Sequence, residues 1–184
     1  MSSDQGKQGL LSPFLQRQRV TAARPHLRGK VLDIGCGNGV LANYVATADY
    51  LGMDRNPAVL ARARARFPTH HFTELLPAPT PVYDTVVSLA VIEHIADPAE
   101  AMLAWSKYLK PGGRMVLTTP HPAFEWIHEA GAAVGVFSAD AAEEHEEMID
   151  CRRMEALLQN KPMRIDRYER FLFGVNQLFV LAPT

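Results

Sequence analysis

The chain has 184 residues, 47% of them hydrophobic and 21% charged, a length and composition suited to one globular domain burying roughly two-thirds of its unfolded surface in a single core. Its 19 Lys and Arg are balanced by 20 Asp and Glu, which excludes the global positive field that holds nucleic acid or an anionic membrane. Cys36 and Cys151 lack the CxxC spacing of zinc or redox sites and the N-terminus has no signal-peptide core, so the expectation is a reduced, cytoplasmic protein with two inert thiols and no membrane segment.

Residues 1–9 are polar and glycine-containing and read as a frayed tail. Ser12-Pro13 reads as an N-cap with proline at the first helical position, opening a helix to about Arg24. Pro25 and Gly29 close this N-terminal segment, 1–29, and Lys30-Val-Leu-Asp-Ile34 is a short buried strand. After a glycine-rich turn, Leu41, Tyr44, Val45 and Ala48 recur at helical spacing from Asn38 onwards, and Tyr50-Leu-Gly-Met53 is a second strand ending at Asp54. The pattern predicts one βαβ unit. Asn56-Pro57 caps a further helix with Leu60, Ala63 and Phe67 on one face, and His70-His-Phe72 is an edge strand. Arg62, Arg64 and Arg66 alternate along that helix, where residues two apart do not share a face, and read as solvated surface.

Residues 73–81 are a proline-rich loop, and Tyr83-Asp-Thr-Val-Val-Ser-Leu89 is a continuous strand. Asp97-Pro-Ala-Glu100 is a capping box opening a helix that buries Ala101, Trp105, Tyr108 and Leu109. Lys110-Pro-Gly-Gly113 stops it, and Arg114–Thr119 is the next strand. Residues 121–150 read as an irregular or helical insertion, a lid or substrate element, followed by a helix over 151–160 and two strands, 163–171 and 175–181, joined by a turn at Gly174. Alternating strands and helices predict a doubly wound α/β fold, and the final strand pair predicts an antiparallel edge.

The turn after the first strand carries glycines in the pattern Gly35-x-Gly37-x-Gly39, bringing backbone N–H groups close to a ligand. Val40 stands where the dinucleotide fingerprint requires its third glycine, which weakens a nicotinamide-cofactor reading. Asp54 follows Gly35 by nineteen positions, where a carboxylate can accept both hydrogen bonds of a ribose diol. Asp33, inside the first strand, is costly to bury unless it orients the loop amides or meets a cation, and the sulfonium and amino groups of S-adenosylmethionine offer that charge.

With these features the sequence resembles the class I S-adenosylmethionine-dependent methyltransferases, particularly the small-molecule branch that includes quinone-biosynthesis enzymes. The likeness rests on Val31-Leu-Asp-Ile-Gly-Cys-Gly-Asn-Gly39, Leu51-Gly-Met-Asp54, Tyr83-Asp-Thr-Val-Val-Ser-Leu-Ala-Val-Ile-Glu-His-Ile95 and Leu109-Lys-Pro-Gly-Gly-Arg-Met-Val-Leu117. It implies a Rossmann-like, mostly parallel seven-stranded sheet with an antiparallel final strand, in a single domain over 1–184. It implies S-adenosylmethionine as cofactor and S-adenosylhomocysteine as product. The Gly35 to Gly39 loop, with Asp33 and Cys36, would wrap the methionine portion. Asp54, with Arg55, would meet the ribose, and Leu89 and Ala90 would lie against the cofactor. Relatives place an acidic residue after the third strand for the adenine amino group; here Glu74 is the candidate, in a shifted position.

His94 beyond the fourth strand, His121 after the fifth and His145 within the insertion are the candidate general bases for an acceptor hydroxyl. Glu93-His94 can equally be structural, and His128 is peripheral. Glu143-Glu-His-Glu-Glu147 reads as a solvated face and not as a metal cluster, and Phe124, Trp126 and Phe137 as core or as an apolar wall. The expected reaction is methylation of a small molecule, at a hydroxyl oxygen or alternatively at nitrogen, by a monomer or homodimer without nucleic-acid or membrane partners. A non-catalytic cofactor-binding partner subunit and a nicotinamide-dependent oxidoreductase are the rival readings.

Overall fold

The computed structural model describes residues 12–122 and 149–184. Helix α1, Ser12–Ala23, leads into strand β1, Val31–Ile34. Strand β2, Tyr50–Met53, helix α2, Pro57–Arg66, and strand β3, His71–Thr73, follow. Next come β4, Tyr83–Leu89, α3, Pro98–Ser106, and β5, Leu109–Pro120. Helix α4, Cys151–Leu158, and strands β6, Met163–Phe171, and β7, Asn176–Pro183, end the chain. The seven strands form one sheet in the order β3-β2-β1-β4-β5-β7-β6.

The expected caps are in place: the Asn56 side chain accepts from Ala58 N and Val59 N, and the Asp97 side chain accepts from Glu100 N. Each satisfies amide groups that a helix start leaves without intrahelical partners. The first crossover differs from expectation. Residues 38–49 form no α-helix; Val40–Tyr44 and Thr47–Asp49 are separate 3-10 turns. Gly39 enters the first of them in the left-handed region at φ 70°, without a side-chain cap. The Asn43 side chain donates to Val40 O at 3.0 Å, a local competitor that disfavours a regular helix. Tyr44 is accordingly exposed, with the Arg24 guanidinium 4.5 Å from its ring centroid.

Strand β5 starts at Leu109, ahead of the expected Arg114, because Leu109 already pairs with Tyr83 and an irregular register bridges the Pro-Gly-Gly stretch before Arg114 pairs with Thr85. Strand β7 runs antiparallel to both β5 and β6. The reversed strand is therefore internal, and β6, running parallel to β1–β5, forms the edge.

The buried strand residues alternate between two cores, as a two-residue period requires. Leu32, Ile34, Val86, Met115, Leu117, Phe179 and Leu181 pack with Met102 and Trp105 of α3 and Met154 and Leu158 of α4. Val31, Val87, Val116, Leu178 and Val180 face the other way, onto Val20 and Ala23 of α1 and Leu41 and Ala42 of the first turn. Asp33 shares that second parity, so the strand pleat directs it to the α1 face. Strands β1 and β4 are neighbours, with the chain winding from β1 towards β3 on one side and from β4 outwards on the other. The topological switch point, where such sheets open a crevice beyond the strands' carboxyl ends, lies between them.

Candidate functional site

A cavity of about 520 Å³ opens at that switch point, within the roughly 300–1,000 Å³ of small-molecule sites. Asp33 and Gly35, Cys36, Gly37 and Asn38 after β1, Asp54 after β2, and Leu89 and Ala90 at the end of β4 line it. The loop is held from behind: Gly35 N and Cys36 N both donate to Met53 O, at 2.8 and 2.9 Å. Gly35, Gly37 and Gly39 have φ of 73°, 53° and 70°, conformations that glycine adopts without a Cβ penalty. A Cβ on Gly35 would collide with Val91 Cγ2.

The Asp54 carboxylate fixes the loop as well as facing the cavity. Its Oδ2 accepts Gly37 N–H at 3.0 Å and its Oδ1 accepts Asn56 N–H at 2.9 Å. An ionised carboxylate has about four acceptor positions, so each oxygen keeps capacity for a ligand hydroxyl. Asp33 does not orient the loop amides: those of Gly35 and Cys36 donate to Met53 O, that of Gly37 to Asp54 and that of Gly39 to Cys36 O. The Asp33 Oδ2 instead accepts the Tyr50 hydroxyl at 2.7 Å. Burial pushes the Asp33 carboxyl up to about 7, with the Tyr50 hydrogen bond opposing and the Asp54 charge adding to the rise. Burial, and then the neighbouring Asp33 and Asp54 charges, also raise the Cys36 thiol well above its ordinary range. Cys36 is thus a protonated, inert wall atom at physiological pH.

Helix α1 closes the other side through Pro13, Gln16, Arg19 and Val20. Arg19 is half-buried, and its Nε donates to Asn176 Oδ1 at 3.0 Å. Desolvation lowers its pKa while the Glu93 charge raises it. The sequence marks the start of this helix but not its position over the glycine loop, so these residues were not anticipated. The run Leu15-Gln-Arg-Gln-Arg-Val20 carries two arginines, and nothing local separates Arg19 from the exposed Arg17. Arg66, expected as solvated surface, stands at the cavity rim, and Arg62 Nε donates to Asn38 Oδ1 at 3.2 Å.

Arg55 and Glu74 are exposed and outside the residues that line the cavity. The loop after β3 turns back on itself through the Thr73 hydroxyl, which donates to Leu75 O at 2.8 Å. His94, in a 3-10 turn over Ile92–His94, is exposed and also outside the lining, whereas its neighbour Glu93 is buried. His121 is half-buried just beyond β5, and its backbone N–H donates to Val175 O at 2.8 Å. Desolvation lowers its pKa, Arg170 adds to the fall and Asp150 opposes it. His145, His128, Phe124, Trp126, Phe137 and the acidic run 143–147 lie outside the described residues.

Residues 7–161 match the methyltransferase domain family. A ubiquinone biosynthesis O-methyltransferase of Alkalilimnicola ehrlichii is 34% identical over 101 residues, covering 49% of this chain and 41% of that protein. A probable S-adenosylmethionine-dependent methyltransferase of Mycolicibacterium smegmatis is 36% identical over 97 residues, covering 50% of this chain and 38% of the relative. The matched region thus spans about two-fifths of the length of these curated relatives. Among solved structures, a methyltransferase of Mesorhizobium loti superposes with a TM-score of 0.65 at 18% identity, covering 93% of this chain and 96% of that one. The magnesium protoporphyrin IX methyltransferase of Synechocystis, solved with S-adenosylhomocysteine, gives 0.71 at 16% identity over 97% of this chain and 89% of that one. The sheet order, the cavity at its switch point and the family match agree: the chain belongs to the methyltransferase domain family.

Proposed function

We propose that the protein transfers a methyl group from S-adenosylmethionine to a small-molecule acceptor, at a hydroxyl oxygen. The observation that carries this reading is the pairing of a glycine loop at the switch point with the Asp54 carboxylate, which braces Gly37 and retains acceptor capacity towards the cavity. The donor set suits this cofactor: the buried Asp33 carboxyl, ionised once a cation pairs with it, for an ammonium or sulfonium, a cationic Arg19 for a carboxylate, and Asp54 for a ribose diol. The cavity volume of about 520 Å³ suits a ligand of nucleoside size. Oxygen is favoured as the acceptor because the matching curated relatives include ubiquinone biosynthesis O-methyltransferases.

When bound, S-adenosylmethionine would supply an electrophilic methyl carbon, from which the acceptor oxygen would displace the neutral thioether as leaving group. The protein's part is mainly alignment, since holding the reacting atoms in line can supply much of the acceleration. Asp54 would hold the ribose, the Gly35 to Gly39 loop the methionine portion, and Leu89 and Ala90 would exclude water from one wall. His121, beyond the end of β5 and outside the residues that line the cavity, would accept the proton that the acceptor hydroxyl releases.

Incubation with methyl-labelled S-adenosylmethionine and a cell metabolite extract identifies the molecule that gains the label. In parallel, Asp54→Ala is expected to weaken S-adenosylhomocysteine binding by roughly tenfold or more, the loss of charge-assisted hydrogen bonds. Unchanged affinity by calorimetry would contradict the ribose assignment, and absence of any methylated product would contradict the activity.

A further inference from the structure

We propose that Asn176, the first residue of β7, positions Arg19 to recognise the carboxylate of the cofactor's amino-acid arm; the inference rests on the S-adenosylmethionine reading above. Asn176 is 1% exposed, and its Oδ1 accepts the Arg19 Nε–H at 3.0 Å across 157 residues of sequence. Arg19 reaches the cavity from α1, in surroundings that desolvate its charge. A guanidinium there is costly unless its donors are satisfied.

The guanidinium is a rigid plane with five N–H donors. The bond from Nε to Asn176 sets the rotation of that plane about the end of the side chain. The four terminal N–H donors are then fixed in direction before a ligand arrives, which reduces the ordering cost of binding.

The neutrality of position 176 matters as much as its oxygen. Glu93, 6% exposed in the turn after β4, already opposes the Arg19 charge. A second carboxylate at 176 would turn this wall net negative and repel a ligand carboxylate. An amide provides the same acceptor without the charge. Placing it at the start of β7, in register with Pro120 of β5 and Phe171 of β6, fixes it on the sheet's rigid frame and not on a loop.

The test is calorimetric titration with two ligands: S-adenosylhomocysteine, which carries the amino-acid arm, and 5′-methylthioadenosine, which keeps the nucleoside thioether but lacks it. Asn176→Ala and the isosteric Asn176→Asp are each expected to weaken S-adenosylhomocysteine binding roughly tenfold, with less than about a twofold change for 5′-methylthioadenosine. The Asp variant preserves the shape of the buried site, so it remains informative if the Ala variant folds poorly. In an Arg19→Ala background Asn176→Ala does not weaken S-adenosylhomocysteine binding further, because the two residues act as one unit. Equal weakening of both ligands, no weakening of either, or an undiminished effect without Arg19 overturns the proposal. Wild-type protein that binds neither ligand overturns the cofactor reading itself, a different result from any of these.

Discussion

Replacing Asp33 by Asn removes one proton-binding group at almost constant volume. The carboxyl is 3% exposed and accepts the Tyr50 hydroxyl at 2.7 Å, and burial lifts its pKa from 3.8 to about 7. Between those values the folded chain binds a proton that the unfolded chain has released, so this group's contribution falls as pH rises. Its stabilisation is complete below about pH 4 and lost through about pH 7. About three pH units at ~1.36 kcal/mol each amount to on the order of 4 kcal/mol. An amide at this position cannot ionise yet still offers an oxygen to Tyr50. The Asp33→Asn protein should therefore gain on wild type by roughly 2–3 kcal/mol between about pH 5 and 7, with the difference levelling off above about pH 8. Urea unfolding of both proteins in half-unit pH steps measures it, and subtraction cancels the titrations they share. Parallel stability profiles across the window would refute a raised Asp33 pKa in the folded chain.

The hairpin turn between β6 and β7 holds Leu172, Phe173 and Gly174 at φ 53°, 54° and 87°, with Phe173 98% exposed. Phe173→Gly relieves a left-handed conformation without removing a packed side chain, so it should stabilise by about 1 kcal/mol and raise Tm by roughly 2–4 °C; a lower Tm would mean that the ring makes a stabilising contact. Gly35→Ala meets both a φ of 73° and the Val91 side chain and should cost about 3 kcal/mol or more. Chemical denaturation reads the loss, and Val91→Ala in the same chain should restore only the steric share.

Much of the fold was legible because its signals are local. Strand β4 has the limits its apolar run suggested, and the caps at Asn56 and Asp97 work through side chains two or three residues from their targets. The crossover after β1 was misread because Leu41, Tyr44, Val45 and Ala48 keep helical spacing while the Gly39 conformation and the Asn43 side chain favour 3-10 turns. The glycine loop, Asp33, Asp54, Leu89 and Ala90 line one cavity, as their places at the ends of strands suggested, because parallel strands bring those ends to one edge.

By itself the sequence determined the order of the strands along the chain, the glycine turn and the carboxylates beside it, since backbone conformation and hydrophobic period are written in neighbouring residues. Only the tertiary structure decided which groups those carboxylates meet and what closes the cavity. Tyr50 lies seventeen residues from Asp33 and Asn176 lies 157 from Arg19. Such pairings depend on sheet register and on how α1 crosses the sheet, and no local spacing specifies them.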